Sequence, residues 1–212
     1  MAHILITSGP TRQYLDPVRY LTNASSGRMG RALVQAALDG GHRVTVVTGP
    51  VTLEYPAAAE VLRVVSTEEM LATCESVFAA CDGVIGAAAP CDYRPVKVAA
   101  QKISKTGQPL ELHLVETPDV MAALGAKKRA GQWLVGFALE TEDPRFRALT
   151  KLQKKSCDLM VLNGTAAIDA LDNQVELLDR AGLVVANFGG AKEVVARGIL
   201  RVIDERLTRP TS

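Results

Sequence analysis

Ser25-Ser26-Gly27 stands directly before an apolar-periodic run (Met29, Leu33, Val34, Ala37, Leu38) that stops at Gly40-Gly41. A helix opened there leaves backbone N–H groups unpaired at the positive end of its dipole, which suits a phosphate. Asn23 and Arg19 lie just upstream and offer a neutral amide and a guanidinium. The same residues also fit an ordinary N-cap with tight helix-to-strand contact at Gly30. Gly86-Ala87-Ala88-Ala89 has no bulk. Either a ligand ring lies against it and is read by its backbone, or a helix packs closely there. Asp92 follows, placed to hold a ribose hydroxyl or a divalent cation, or to cap a loop. Lys102-Ile103-Ser104-Lys105 lies in a loop, where a lysine can swing onto a triphosphate or remain solvated. Lys151 and Lys155 are four residues apart on a helix. They repel by roughly a few tenths of a kcal/mol unless an anion sits between them.

These residues need a scaffold, and the pattern supplies one. Short apolar strands at 3–7, 43–48, 61–65, 83–88, 133–138 and 158–162 alternate with amphipathic helices near 26–39, 67–80, 117–130 and 144–156. That alternation predicts right-handed crossovers and a doubly wound, mostly parallel sheet with helices on both faces, an α/β fold of Rossmann-like three-layer type. Residues 174–178 and 183–186 predict a hairpin, and a last helix runs from about 191 to 207. The rhythm breaks at 90–108, a long stretch of weak periodicity with Asp92, Arg94, Lys97, Lys102 and Lys105. Loops of that length are often functional lids. Residues 110–115 alternate as a half-buried or edge strand does. Without a linker or repeat, one domain over 1–212 is expected, with a flap or dimerisation segment at about 90–115.

Composition removes several classes. With 24 Lys and Arg against 23 Asp and Glu, the net charge of +1 gives no global attraction to nucleic acid or membrane. Aromatics are only 4%, against a base-stacking platform. Cys74, Cys81, Cys91 and Cys157 form no Cys-x-x-Cys pair, so neither a disulfide framework nor a zinc site is indicated and a reducing cytoplasm is the default. No run reaches membrane-spanning length. A Rossmann dinucleotide fingerprint is missing after the first strand, as is a P-loop.

The motifs together resemble one family. Thr7-Ser8-Gly9-Pro10-Thr11-Arg12, then Asp16-Pro17-Val18-Arg19-Tyr20 through Asn23-x-Ser25-Ser26-Gly27-x-Met29-Gly30, resemble the start of phosphopantothenoylcysteine synthetase, the ligase half of the bifunctional protein of bacterial coenzyme A biosynthesis. The likeness continues in Ala87-Ala88-Ala89 to Asp92-Tyr93, Lys102-Ile103-x-Lys105 and Thr117-Pro118-Asp119-Val120. It ends with Gly136-Phe137-Ala138-x-Glu140-Thr141, Lys151-Leu152 to Lys155, and Asp158 to Asn163.

The resemblance implies a ligase that joins 4′-phosphopantothenate to cysteine through an acyl-cytidylate. It implies Mg²⁺, CTP (or ATP in its place) as co-substrate, and no flavin. Carried onto this chain, it gives Gly86, Ala87 and Ala88 to the base and Asp92 to ribose or metal. Pro118, Asp119, Val120, Met121 and Phe137 would line the nucleotide pocket, and Lys151 and Lys155 would grip the triphosphate. Lys102 would stabilise the transferring phosphate from a closing flap. Asn23 with Arg19 would act in the second step, while Ser25, Ser26 and Gly27 would meet phosphate. It also implies a cytoplasmic homodimer whose mid-chain segment reaches across, working free-standing beside a separate decarboxylase chain. The chain departs from the family at Arg28 (usually lysine), at Pro90-Cys91 (usually Val-Ala), and at 165–173, which lacks a Phe-Gly turn. Two other readings are a short-chain-type NAD(P)-binding reductase and a catalytically silent nucleotide-binding paralogue. The first needs a Tyr-x-x-x-Lys pair on a helix, and the only such spacing, Tyr93 to Lys97, falls in the loop.

Overall fold

The computed structural model describes residues 1–139, 142–163 and 173–208. An eight-stranded sheet runs in the order β12-β11-β10-β9-β6-β1-β4-β5. Six of its strands are parallel: β1 (His3–Ser8), β4 (Arg43–Thr48), β5 (Glu60–Arg63), β6 (Gly83–Gly86), β9 (Trp133–Leu139) and β10 (Leu159–Asn163). The hairpin of β11 (Asn173–Asp179) and β12 (Val184–Gly190) adds an antiparallel edge. The doubly wound α/β expectation holds.

The sheet is covered on both faces, and this is why its strands read as unbroken apolar runs. Period-2 alternation sends Ile4, Ile6, Val44, Val46, Leu159 and Val161 to one core, beneath α1 (Arg28–Asp39) and α5 (Lys192–Ile203). Leu5, Val47, Met160 and Leu162 go to the other, beneath α2 (Thr67–Phe78), α3 (Val120–Ala126) and α4 (Pro144–Lys154). Two close approaches set helix and strand spacing. A Cβ at Gly83 would enter the Trp133 ring, and one at Gly30 would lie 2.5 Å from the Ser8 Cβ. Among the described residues no helix is long and apolar enough to cross a membrane.

The sequence reading set several boundaries too wide. The helix expected over 117–130 is only α3, because Asp119 caps it: its Oδ1 accepts the Ala122 N–H at 3.0 Å. The last helix ends at Ile203 and gives way to a π-turn, Asp204–Thr208. The strand expected over 110–115 is reduced to β8 (Leu114–Glu116), paired antiparallel with β7 (Tyr93–Pro95). All of residues 110–116 are exposed, so the alternation there has no inner face within this chain. A second hairpin was missed: β2 (Arg12–Asp16) pairs with β3 (Arg19–Thr22). Its strands are joined by an Asp-Pro turn, with Tyr14 and Tyr20 edge-to-face at 5.4 Å.

Candidate functional site

The chain leaves β1 for β4 and β5 on one side and returns to β6, β9 and β10 on the other. The crevice at this reversal, outside the carboxyl ends of β1 and β6, is where doubly wound sheets bind ligands. A cavity of about 280 Å³ opens there. Nine residues singled out from the sequence border it: Gly86, Ala88, Asp92, Pro118, Asp119, Val120, Met121, Phe137 and Lys155. Tyr93, Glu116 and Lys154 also border it, though none has an individual role in the sequence analysis. Tyr93 and Glu116 face each other in the β7–β8 register, a pairing that could have been sought once residues 110–115 were read as a strand. A larger cavity of about 480 Å³ lies over β10 to β12, lined by Arg145, Asn163, Glu176 and Phe188 among others, and no residue with a sequence-predicted ligand role borders it.

The floor of the crevice is tied down by hydroxyl groups. Thr11 Oγ1 accepts the Cys91 N–H at 2.7 Å and shares a hydrogen bond with Thr67 Oγ1 at 2.8 Å. Thr67 and Thr117 both donate to the Cys91 carbonyl, at 3.1 and 2.6 Å. Cys91 is buried, and both its N–H and its C=O are used in holding this floor. Of the backbone groups at 86–89 expected to face a ligand, the N–H groups of the three alanines are already engaged. Ala87 N–H already donates to Thr7 O, Ala88 N–H to Thr7 Oγ1, and Ala89 N–H to Gly9 O. With these N–H groups taken, a ligand at this strand end would meet small side chains and whichever carbonyls the sheet does not use. Gly86 also has a packing reason to lack a side chain, since its Cβ would lie 2.5 Å from Met121 Sδ.

The cations take up particular positions. Lys151 and Lys154 lie in the last turn of α4, where the helix dipole favours positive charge, and Lys155 caps it. The anion expected between Lys151 and Lys155 has a protein counterpart: Lys155 Nζ is 3.1 Å from Asp119 Oδ2. Lys151 is half-buried on the same helix and does not border the cavity. The Asp92 side chain is exposed.

The second group of expected residues flanks the crevice. Asn23 Nδ2 donates to Pro90 O at 2.8 Å, which brings its amide beside the turn that follows β6. Helix α1 starts after Gly27, whose φ of 73° is left-handed, and no side chain caps it. The alternative reading of Ser25 and Ser26 as ordinary helix caps does not hold: Ser25 Oγ receives the Gly27 N–H at 3.4 Å and no side chain caps α1. With no acidic residue in its first turn, α1 presents its free N–H groups unneutralised. Below them Ser8 Oγ donates to Gly27 O and receives the Tyr55 hydroxyl at 2.8 Å. Lys102 is exposed and apart from the cavity lining. Arg19 is held by Asp16 and by the carbonyl of Ile103. Glu140, Thr141 and residues 165–172 of the family motifs lie outside the described residues.

Strand order, two-sided helix cover and a crevice at the reversal define a doubly wound α/β protein with an open crevice at its switch point. The chain belongs to the family described as DNA/pantothenate metabolism flavoprotein C-terminal domain, which matches residues 1–207. It is 41% identical over 180 residues to the coenzyme A biosynthesis bifunctional protein CoaBC of Vibrio vulnificus, covering 82% of this chain and 45% of that protein. It is 44% identical over 166 residues to the CoaBC of Bacillus subtilis, covering 78% and 41%. The chain thus spans less than half the length of these curated relatives. Its fold superposes on a crystal structure of the C-terminal domain of CoaBC with a TM-score of 0.81 and 35% identity, covering 97% of both chains.

Proposed function

We propose that this chain is a phosphopantothenate–cysteine ligase of coenzyme A biosynthesis. The observation that carries the reading is the convergence of nine sequence-predicted residues on one crevice in a chain that matches the CoaBC C-terminal domain from end to end. A carboxylate is a poor acyl donor, so the acid is first joined to the α-phosphate of a nucleoside triphosphate with loss of pyrophosphate. The amine of cysteine then attacks the acyl carbon and the nucleoside monophosphate leaves. The protein must hold two anions together and neutralise the charge that grows on the departing pyrophosphate.

In this reading the nucleotide occupies the crevice. Its base lies against the carbonyl groups and small side chains at 86–88, with Met121 and Phe137 as apolar walls. The cation cluster at 151–155 receives the triphosphate, which takes Lys155 over from Asp119. Lys102 meets the transferring phosphate from the segment above, while Asn23 and Arg19 serve the second step. The open end of α1 receives phosphate, with Ser25, Ser26 and Gly27 at its entrance. CTP is the nucleotide proposed, with ATP as the other arm of the test. Among the described residues no cluster of three His, Cys, Asp or Glu side chains is disposed to hold a metal. Mg²⁺ bound to substrate phosphates needs only one or two carboxylates, and Asp92 at the rim is the candidate. The exposed side chains of Val96, Val98, Leu110, Leu112, Leu114 and Val115 form an apolar surface that a second copy would cover, which supports the homodimer. Decarboxylation of the product is assigned to a separate active site.

The test mixes protein, Mg²⁺, 4′-phosphopantothenate and CTP or ATP, with and without cysteine. Pyrophosphate should appear without cysteine, and free CMP or AMP only with it. No nucleotide consumption with either triphosphate would overturn the reading.

A further inference from the structure

The segment that carries Lys102 has no helix or strand between Val96 and His113, so something else must fix its path. The β2–β3 hairpin does so at three points. Leu15 O accepts the Ala99 N–H at 2.9 Å, Asp16 Oδ2 accepts the Ile103 N–H at 3.1 Å, and Arg19 Nη2 donates to Ile103 O at 2.5 Å. Lys102 lies inside this bracket, directly before a residue held at both its N–H and its C=O.

Asp16 divides its two oxygens between two tasks. Oδ1 accepts the N–H groups of Val18 and Arg19, both at 2.9 Å, and closes the hairpin turn. An aspartate with only that task could stay in water. This one is fully buried, and its other oxygen reaches a peptide 87 residues away in sequence. Burial works against its charge, but the N–H groups of Val18, Ile103 and Arg19, with the Arg19 guanidinium, outweigh it and hold the carboxyl below its ordinary 3.8. The group is therefore an ionised, acceptor-only anchor at neutral pH.

We propose that Asp16 is a positioning residue for nucleotidyl transfer, its Oδ2 pinning the Ile103 peptide so that Lys102 starts from the place needed to reach the transferring phosphate. The proposal rests on the reading of Lys102 given above. Asp16→Asn keeps the turn's acceptor and removes what Oδ2 does, the strap and its ion pair with Arg19 at 3.5 Å; pyrophosphate release reads the first step, to which Arg19 is not assigned. The amide oxygen still serves the turn, whereas its NH₂ faces the Ile103 N–H and the strap is released.

Pyrophosphate release at saturating CTP should fall by about 10- to 100-fold, the scale of an ångström's misplacement of a catalytic group, with KM for CTP changed by less than about 3-fold. In a Lys102→Ala background the same change should add less than about 2-fold, because the group it positions is gone. Trypsin should cut native Asp16→Asn after Lys102 faster than it cuts the wild type, with no substrate present. If Asp16→Asn unfolds in a urea titration, Ile103→Pro deletes the same hydrogen bond from its other end and should slow pyrophosphate release alike. Asp16→Asn with wild-type turnover and wild-type tryptic cutting, or an equal loss in both backgrounds, overturns the proposal. Full pyrophosphate release by Lys102→Ala alone removes the lysine itself. That result is distinct from the failure of Asp16, in which Lys102→Ala is slow and Asp16→Asn is not.

Discussion

Replacing Gly30 by alanine drives a Cβ into the Ser8 hydroxyl and to 2.5 Å from the Ser8 Cβ, where ordinary contact begins at 3.4 Å. Helix propensity alone favours the change by roughly 1 kcal/mol, since glycine in a helix loses more backbone entropy than alanine. Overpacking of a close helix–strand contact opposes it by about 1–3 kcal/mol, and a contact this short belongs at or above the upper end. The net expectation is a loss of about 2 kcal/mol, or a fall in melting temperature of roughly 4–8 °C for a chain of this size. Urea titration and thermal melting of wild type, Gly30→Ala, Ser8→Gly and the double variant supply the assay. Ser8→Gly removes both clashing atoms, so the double variant should be more stable than the two single losses predict, by at least about 1 kcal/mol. Lifting the start of α1 also moves its free N–H groups, so pyrophosphate release should fall with stability. A Gly30→Ala protein as stable as the wild type, or strictly additive losses, would refute the reasoning.

Lys102→Ala should slow pyrophosphate release by about 10²–10³-fold, as for the loss of one charge-stabilising donor, and stopped-time assays of that release check it. Asn23→Asp should permit the first step and trap the acyl-nucleotide, seen as pyrophosphate without matching free CMP. Cys74 and Cys157 are pushed up to about 12 and Cys81 to about 11, chiefly by burial. These three buried thiols should therefore resist a disulfide reagent at neutral pH until urea unfolds the chain. Arg145 holds Glu176 below its ordinary 4.5, mainly by hydrogen bonds at 2.8 and 2.9 Å. That contribution is present above the ordinary glutamate range and is lost as pH falls through the lowered value. The urea midpoints of wild type and Arg145→Ala should thus differ near neutrality and converge in acid.

The sheet was legible because its strands are buried on both sides: Ile4-Leu5-Ile6 and Val44 through Val47 read as apolar runs whichever face each residue takes. The crevice was legible because small residues and carboxylates cluster at strand ends, as with Gly86 and Asp92. The β2–β3 hairpin was not read, since Arg12, Tyr14 and Tyr20 pair with one another across the hairpin, with Arg12 over the Tyr20 ring at 4.4 Å, and leave no apolar alternation. An aspartate followed by proline was the available signal. The strand at 110–115 was overextended because its alternation anticipates a surface this chain alone does not bury.

The three threonines around the Cys91 peptide leave the base side of the crevice with almost no slack. A nucleotide arriving there should meet a surface already frozen in its bound shape, so amide deuteration at 87–91 should scarcely change on loading. The strap beyond it is tied to the hairpin by three hydrogen bonds, with no helix or strand of its own, and should carry nearly all of the ordering that a ligand induces. On the proposed reading, selectivity between bases is then a matter of static fit and commitment to reaction a matter of motion, so the two should be alterable independently through different residues.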